Sequence, residues 1–294
     1  MKNPRVFLDY DQKALDDAYD QSAYAPNREQ LLARFARASR IIRERLGEPQ
    51  RVSYGPGEIE KLDVYKTRKP DAPVNVFIHG GAWRAGLARD YAFPAEMLVR
   101  AGAHFVVVDF NNVLETKGDL LPMADQVRRA VAWVFGNCSL FGGNAARLYV
   151  SGTSSGAHLG GCLAATDWQK DFGLPADMVK GYVLASGMYD LRAPRLSRRS
   201  SYVKFTDAME AALSPQRHIG NIKAPLVLLY GSLETPEFQR QSRDFAAALG
   251  QAGKPFELIV AEGYNHFELT ETLGNPYGAV GRAVLAQMAL APTP

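Results

Sequence analysis

The chain has 294 residues, of which 47% are hydrophobic and 22% are charged, values typical of a soluble globular protein with a substantial core. A formal net charge of +3 is too small to indicate a nucleic-acid partner. No run approaches the ~18 apolar residues needed to cross a bilayer, and the N-terminus lacks the apolar segment of a secretion signal. We therefore expect a cytoplasmic protein with no membrane partner. Cys138 and Cys162 fit no metal-binding spacing.

Strand-like and helix-like segments alternate along most of the chain, after an N-terminal segment (residues 1–50) in which residues 15–46 are predicted to be helical. The predicted strands are residues 59–65, 74–78, 105–110, 148–150, 181–185, 226–230 and 256–260. The predicted core helices are residues 94–100, 123–136, 157–166, 236–252 and 279–289. This alternation, without repeats or a composition break, predicts one α/β domain over residues 1–294 with a mostly parallel central sheet flanked by helices.

A second segment outside the alternating pattern, residues 187–222, lies between two predicted core strands. It is polar and basic and contains Pro194 and Pro215. Its position predicts a cap that would exclude water from a site at the sheet edge. The alternative for this segment and for the N-terminal helices is a surface elaboration without a function.

The predicted strand 74–78 ends in the loop His79-Gly80-Gly81-Ala82-Trp83. Glycine lets backbone N–H groups approach a substrate oxygen without interference from a side chain. Loops of this type supply half of an oxyanion hole, so the N–H groups of Gly81 and Ala82 are the predicted donors. We expect His79 to brace the loop through hydrogen bonds. An ordinary turn is the alternative interpretation of the glycine pair.

Ser154 lies in Gly152-Thr153-Ser154-Ser155-Gly156, between a predicted strand and a helix rich in small residues. The G-x-S-x-G pattern in this context is typical of the nucleophile elbow of α/β-hydrolases. Glycines on both sides relieve the clash in the sharp turn, and the first helical N–H groups point at the atom that the serine attacks. Ser154 is the predicted nucleophile and Ser155 N–H the third oxyanion donor, unless the small residues only serve a helix start.

The acid and the general base are expected after the serine, in the order acid then histidine. His266 follows the last predicted strand and is the predicted base. Glu234 follows the preceding strand, where a carboxylate can accept the imidazole Nδ1–H and fix its tautomer. Glu237 is better explained as the start of a helix, whereas Asp190 remains an alternative acid because it also follows a strand. His158, one helical turn after the serine, is predicted to pack and not to act as the base.

Several motifs resemble those of α/β-hydrolases of the kynurenine formamidase (arylformamidase) type, a family with an HGGxW motif. They are YGPGE (54–58), LDVY (62–65), HGGAW (79–83), MADQV (123–127), GAHL (156–159), SGMYDL (186–191) and PEFQRQS (236–242). The resemblance extends from about Asp9 to the C-terminal helix and places Glu234 at the family's acid position. The chain departs from the family pattern at Thr153 and Ser155, where the family has His-Ser-Ala around the serine, at Glu234, usually Asp, and at residues 109–113.

The residues themselves predict a serine hydrolase that works through an acyl-enzyme. The resemblance implies a small aryl amide as substrate, an N-formyl or N-acyl arylamine. A carboxylesterase acting on short-chain or aryl esters would use the same catalytic parts, and a non-catalytic small-molecule binding protein on this scaffold is the remaining alternative. Trp83, Phe110 and Tyr189 are the predicted substrate-binding aromatic residues. No cofactor or metal ion is implied, and the sequence allows a homodimer.

Overall fold

The computed structural model describes residues 4–292. The strands are β1 (Arg5–Phe7), β2 (Tyr10–Asp11), β3 (Gln50–Ser53), β4 (Lys61–Tyr65), β5 (Ala72–Ile78), β6 (His104–Val108), β7 (Gly143–Thr153), β8 (Val179–Ala185), β9 (Leu226–Gly231) and β10 (Phe256–Ala261). The α-helices are α1 (Gln12–Ala18), α2 (Arg28–Leu46), α3 (Ala95–Ala101), α4 (Leu121–Asn137), α5 (Ser155–Ala164), α6 (Trp168–Phe172), α7 (Arg192–Leu196), α8 (Asp207–Ala212), α9 (Pro236–Gln251), α10 (His266–Glu271) and α11 (Ala279–Gln287).

Strands β3 to β10 form one eight-stranded sheet in the order β10-β9-β8-β7-β5-β6-β4-β3, while β1 and β2 form a separate ribbon. The strands from β10 to β6 pair in parallel, and β4 and β3 add antiparallel neighbours at one side. The predicted fold, a mostly parallel sheet flanked by helices, is confirmed. Because parallel strands end at the same edge, the loops after β5, β7, β9 and β10 meet there.

The sheet is buried on both faces, and the side chains of β5 show how. Val74, Val76 and Ile78 belong to a core shared with residues of α4, α5 and α9. Phe77 points to the other face, into a core shared with α2, α3 and α11. This alternation follows from the two-residue period of a strand. Helices on both faces therefore hold the strand ends in fixed positions.

Each predicted strand and core helix is present, with shifted ends, and 148–150 is part of the 11-residue β7. The segment predicted to be helical, residues 15–46, contains most of α1 and all of α2, which a 3₁₀ turn at Gln21–Tyr24 separates. Pro26 follows and disfavours helical backbone at Ala25, which has φ −135° and ψ 77°. No helix within residues 4–292 has the length and apolar character that a bilayer span requires.

Candidate active site

Ser154 occupies a strained turn between β7 and α5. Its backbone has φ +57° and ψ −126°, a region that non-glycine residues rarely adopt. A Cβ on Gly156 would overlap the Ile78 carbonyl oxygen, and one on Gly152 would lie 2.6 Å from the Gly156 carbonyl oxygen. Glycine at both positions therefore lets the chain turn sharply, with Ser154 at the wall of a cavity.

His266 lies within hydrogen-bond distance of both Ser154 and Glu234. The distance from His266 Nε2 to Ser154 Oγ is 2.9 Å, and that from His266 Nδ1 to Glu234 Oε2 is 2.7 Å. His266 is the first residue of α10, whose N-terminus is fixed by an Asn265 capping box with Glu268. The histidine and the glutamate are 4% and 2% exposed, respectively. The imidazole is thus held between a hydroxyl and a shielded carboxylate.

The other two candidate carboxylates are engaged elsewhere. Asp190 accepts hydrogen bonds from the Arg192 N–H at 3.0 Å and from Arg217 Nη2 at 3.2 Å. Glu237 accepts two hydrogen bonds from the Arg240 guanidinium group, from Nε and Nη2, each at 2.7 Å. Of the acids weighed from the sequence, Glu234 is the one hydrogen-bonded to His266.

The loop after β5 supplies backbone N–H groups beside the serine. Gly81, Ala82 and Trp83 all have positive φ values, of 125°, 55° and 63°. A Cβ on Gly81 would overlap the Ala85 carbonyl oxygen, so this position requires glycine for steric reasons as well. Within residues 4–292, the N–H groups of Gly81, Ala82 and Ser155 have no hydrogen-bond acceptor. They remain available to an oxygen atom of a bound molecule.

His79, the first residue of the loop after β5, stabilises this loop through the contacts of its ring. Its ring stacks between Phe110, at 4.5 Å between centroids, and Tyr91, at 5.2 Å. Its Nδ1 lies 2.8 Å from the Gly80 carbonyl oxygen, to which the neutral ring donates a hydrogen bond. Burial lowers the pKa of His79, which favours this neutral form.

His158 packs beneath the site and is not placed as a base. Its Nδ1 accepts a hydrogen bond from Trp83 Nε1 at 3.1 Å, and its Nε2–H donates to the Leu213 carbonyl oxygen at 2.8 Å. Burial lowers its pKa to about 4, so the ring is neutral near pH 7. This residue links the oxyanion loop to the 187–222 segment.

Ser154 and His266 line a cavity of about 700 Å³, a size suited to a small-molecule site. Its walls come from the N-terminal segment, the loop after β5, the 187–222 segment and the start of α10. The residues that these elements contribute include Tyr19, Gln21, Arg28, Phe35, Gly81, Ala82, Arg84, Tyr91, Arg198, Arg199, Tyr202 and Phe267. The N-terminal segment and the 187–222 segment, which lie outside the alternating pattern of strands and helices, thus both form part of the cavity wall.

The predicted aromatic lining, Trp83, Phe110 and Tyr189, is wrong. None of these three residues lines the cavity, because each is 7% exposed or less and packs in the core. Trp83 is bound to His158, Phe110 stacks on His79, and Tyr189 stacks on Phe245. The aromatic residues that do line the cavity are Tyr19, Phe35, Tyr91, Tyr202 and Phe267. Most of them come from segments that are far from the motifs in sequence.

Known proteins related to this chain are formamidases and esterases. Residues 62–192 match the protein-family model BD-FAE. The kynurenine formamidase of Danio rerio is 33% identical over 229 residues, which cover 76% of this chain and 75% of that protein. The chain belongs to the kynurenine formamidase family. The resemblance inferred from the sequence motifs is confirmed.

Membership of the kynurenine formamidase family makes the chain a hydrolase of the α/β-hydrolase superfamily. Esterase LipQ of Mycobacterium tuberculosis is 30% identical over 226 residues, which cover 69% of this chain and 52% of that protein. A solved structure from Silicibacter sp. TM1040 shares the fold with a TM-score of 0.80 and 21% identity, covering 94% of this chain and 98% of that one. The predicted α/β-hydrolase fold is confirmed.

Proposed function

We propose that this chain is a serine hydrolase that cleaves N-formyl or N-acyl aryl amides through an acyl-enzyme on Ser154. The observation that carries the proposal is the hydrogen-bonded series Ser154–His266–Glu234 at the wall of a cavity. An activated serine needs a base within hydrogen-bond reach and a third group that orients the base. The relationship to a kynurenine formamidase supports N-formylkynurenine as the first substrate to test.

In the proposed mechanism, His266 Nε2 takes the proton of Ser154 as its Oγ attacks the carbonyl carbon. The N–H groups of Gly81, Ala82 and Ser155 then donate hydrogen bonds to the oxyanion. Glu234 stabilises the imidazolium, which protonates the departing amine. Water repeats the sequence on the acyl-enzyme and releases the acid, which is formate when the substrate is a formamide.

The cavity wall supports an aromatic substrate. Tyr91, Tyr202 and Phe267 line the same cavity as Ser154, and aromatic rings stack on or edge against an aryl group. A volume of about 700 Å³ holds an arylamine with its side chain.

A carboxylesterase is the second candidate, and the 30% identity to esterase LipQ favours it. Both activities use the same serine, base and oxyanion donors. They differ at the leaving group, because an amide nitrogen must be protonated as it departs, whereas a phenolate leaves without a proton. Aryl esters are therefore expected to be cleaved in either case.

The test compares kcat/KM for N-formylkynurenine, for an acetanilide of similar size and for the matching aryl acetate. Amide turnover at a rate within about 100-fold of the ester supports the amidase proposal, whereas efficient ester cleavage with no measurable amide turnover assigns the chain to the carboxylesterases. Ser154→Ala measured with each substrate is the control for contaminating activity.

A further inference from the structure

Arg199 is a buried cation on the cavity wall without an acidic partner. The residue is 6% exposed and lines the same cavity as Ser154 and His266. Within residues 4–292, no carboxylate lies within 4.0 Å of its guanidinium group. Its Nη1 donates to the Tyr202 hydroxyl at 2.8 Å, while the buried Nε has no hydrogen-bond partner. A buried charge without a partner is costly, so this arrangement is more favourable when an anion is bound.

Aromatic rings surround the Arg199 guanidinium. Its central carbon lies 5.3 Å from the centroid of the Trp83 ring, 5.7 Å from that of Tyr19 and 5.9 Å from that of Phe238. These cation–π contacts partly replace the lost hydration, and they hold the planar group in place. They supply no negative charge. A carboxylate fits the planar fork of a guanidinium and would supply that charge.

Arg84 is a second cation without an ion pair in the described part of the chain, and Tyr202 connects it to Arg199. The guanidinium carbon of Arg84 is 4.7 Å from the centroid of the Tyr202 ring, and Arg84 also lines the cavity. No ion pair of Arg84 is present within the described part of the chain. Tyr202 therefore contacts both arginines, one over its ring and one at its hydroxyl.

The other charged residues of the cavity wall are already neutralised in pairs. Arg198 forms an ion pair with Asp20, and Arg28 binds Glu29 at 2.7 Å. Asp90, the other carboxylate on the wall, lies 3.9 Å from Arg89. Arg199 and Arg84 consequently give the cavity an excess of positive charge on the side of the 187–222 segment.

We infer that Arg199 is the residue that makes the cavity selective for a carboxylate on the leaving group, and that it binds this carboxylate with Arg84 beside it. This inference rests on the proposed hydrolysis at Ser154 and adds the residue that reads the substrate's charge. A formyl group is too small to carry a second functional group, so with a formamide substrate the carboxylate belongs to the arylamine. The aryl ring then occupies the space between the serine and Arg199.

The test uses two pairs of substrates, and one member of each pair carries a carboxylate that the other lacks. The amide pair is N-formylkynurenine and N-formylkynuramine, which lacks the carboxylate. The ester pair is 4-acetoxyphenylacetate and 4-acetoxyphenylacetamide. We expect the wild-type protein to prefer the carboxylate member of each pair it cleaves by about 10- to 100-fold in kcat/KM, mostly through KM, the scale of a hydrogen-bonded charge.

Arg199→Met should bring that ratio close to one, and Arg199→Lys should keep part of it, because lysine retains the charge and loses the fork. Arg192→Met is the matched control, since Arg192 is an exposed arginine of the same segment that does not line the cavity. It should leave the ratio at the wild-type value.

Three results would overturn the inference. The first is a ratio of kcat/KM near one between the two members of a pair with the wild-type protein, a result that does not depend on the folding of any variant. The second is a ratio that Arg199→Met leaves unchanged, and the third is an equal loss for both members, which would mean that Arg199 only supports the structure. The ester pair separates this inference from the proposed function, because missing amide turnover with a strong carboxylate preference among esters would contradict the amidase activity alone.

Discussion

Each oxygen atom of the Glu234 carboxylate accepts two hydrogen bonds. Oε1 accepts from Ser186 Oγ at 2.5 Å and from the Gly231 N–H at 2.8 Å. Oε2 accepts from His266 Nδ1 at 2.7 Å and from Gln21 Nε2 at 3.3 Å. The contacts to residues other than histidine fix the carboxylate, which in turn fixes the imidazole plane and tautomer. The acid is thus oriented by three elements of the fold.

Glu234→Gln should lower kcat by about 10³- to 10⁴-fold, because an amide cannot stabilise the imidazolium and can select the wrong tautomer. Asp190→Asn is the matched control, since Asp190 is bound to Arg217, and it should change kcat by less than about threefold. The measurement is kcat with an aryl acetate, after circular dichroism has verified folding. The reverse order of effects would assign the acid to the loop after β8.

Site residues that follow strands can be predicted from the sequence more reliably than cavity-lining residues that are remote in sequence from the motifs. Ser154, Glu234 and His266 can be found because each follows a strand of a parallel sheet, and such strands end at one edge. Trp83 was misassigned because closeness to a motif does not determine which way a side chain points. Arg199 was missed because its environment depends on how the 187–222 segment folds back over the sheet.

The start of α5 packs directly on the end of β5. A Cβ at Gly156 would overlap the Ile78 carbonyl oxygen. Gly136, near the end of α4, has no atom within 4 Å of the position of a Cβ. The two helical glycines therefore respond differently to the same substitution.

Gly156→Ala should lower the free energy of unfolding by about 1–3 kcal/mol, because the elbow must shift away from β5. Gly136→Ala should leave it unchanged or raise it by up to about 1 kcal/mol, as expected for an exposed helical position. Urea unfolding of both variants is the measurement. Equal stability of the two variants would contradict the close packing of α5 on β5.

The pattern of elements in the core was predictable, whereas the break within the N-terminal helical segment was not. Amphipathic spacing identifies α2, since Leu31, Phe35 and Ile42 are buried at helical intervals. It does not identify the break that contains the 3₁₀ turn at Gln21–Tyr24, where the chain contacts the loop between β9 and α9, which is remote in sequence. Gln21 binds Glu234, and Thr235 Oγ1 donates to the Ala18 carbonyl oxygen at 2.6 Å. Such contacts override local preference.

Buried neutral histidines make the stability of the folded protein depend on pH. Burial lowers the pKa of His158 from 6.5 to about 4, and it lowers that of His79 in the same direction. The unfolded chain therefore binds more protons than the folded one between about pH 6.5 and 4. Their contribution to stability is complete above pH 6.5 and is lost as the pH falls toward 4.

Between pH 7 and pH 5, His158 should account for a loss of about 2 kcal/mol in the free energy of unfolding. The measurement is urea unfolding at both pH values for the wild-type protein and for His158→Gln. The variant should be less stable at pH 7, and its stability should fall less between the two values. An equal fall in both proteins would show that His158 does not carry this dependence.

The proposed hydrolysis requires Ser154 as its nucleophile. The most direct measurement is labelling by a fluorophosphonate, followed by peptide mapping of the wild-type protein, Ser154→Ala and Ser155→Ala. The predicted result is a covalent adduct on Ser154 in the wild type and in Ser155→Ala, which keeps the backbone N–H donor, and no adduct in Ser154→Ala. An adduct on another residue, or labelling and turnover that persist in Ser154→Ala, would contradict the claim.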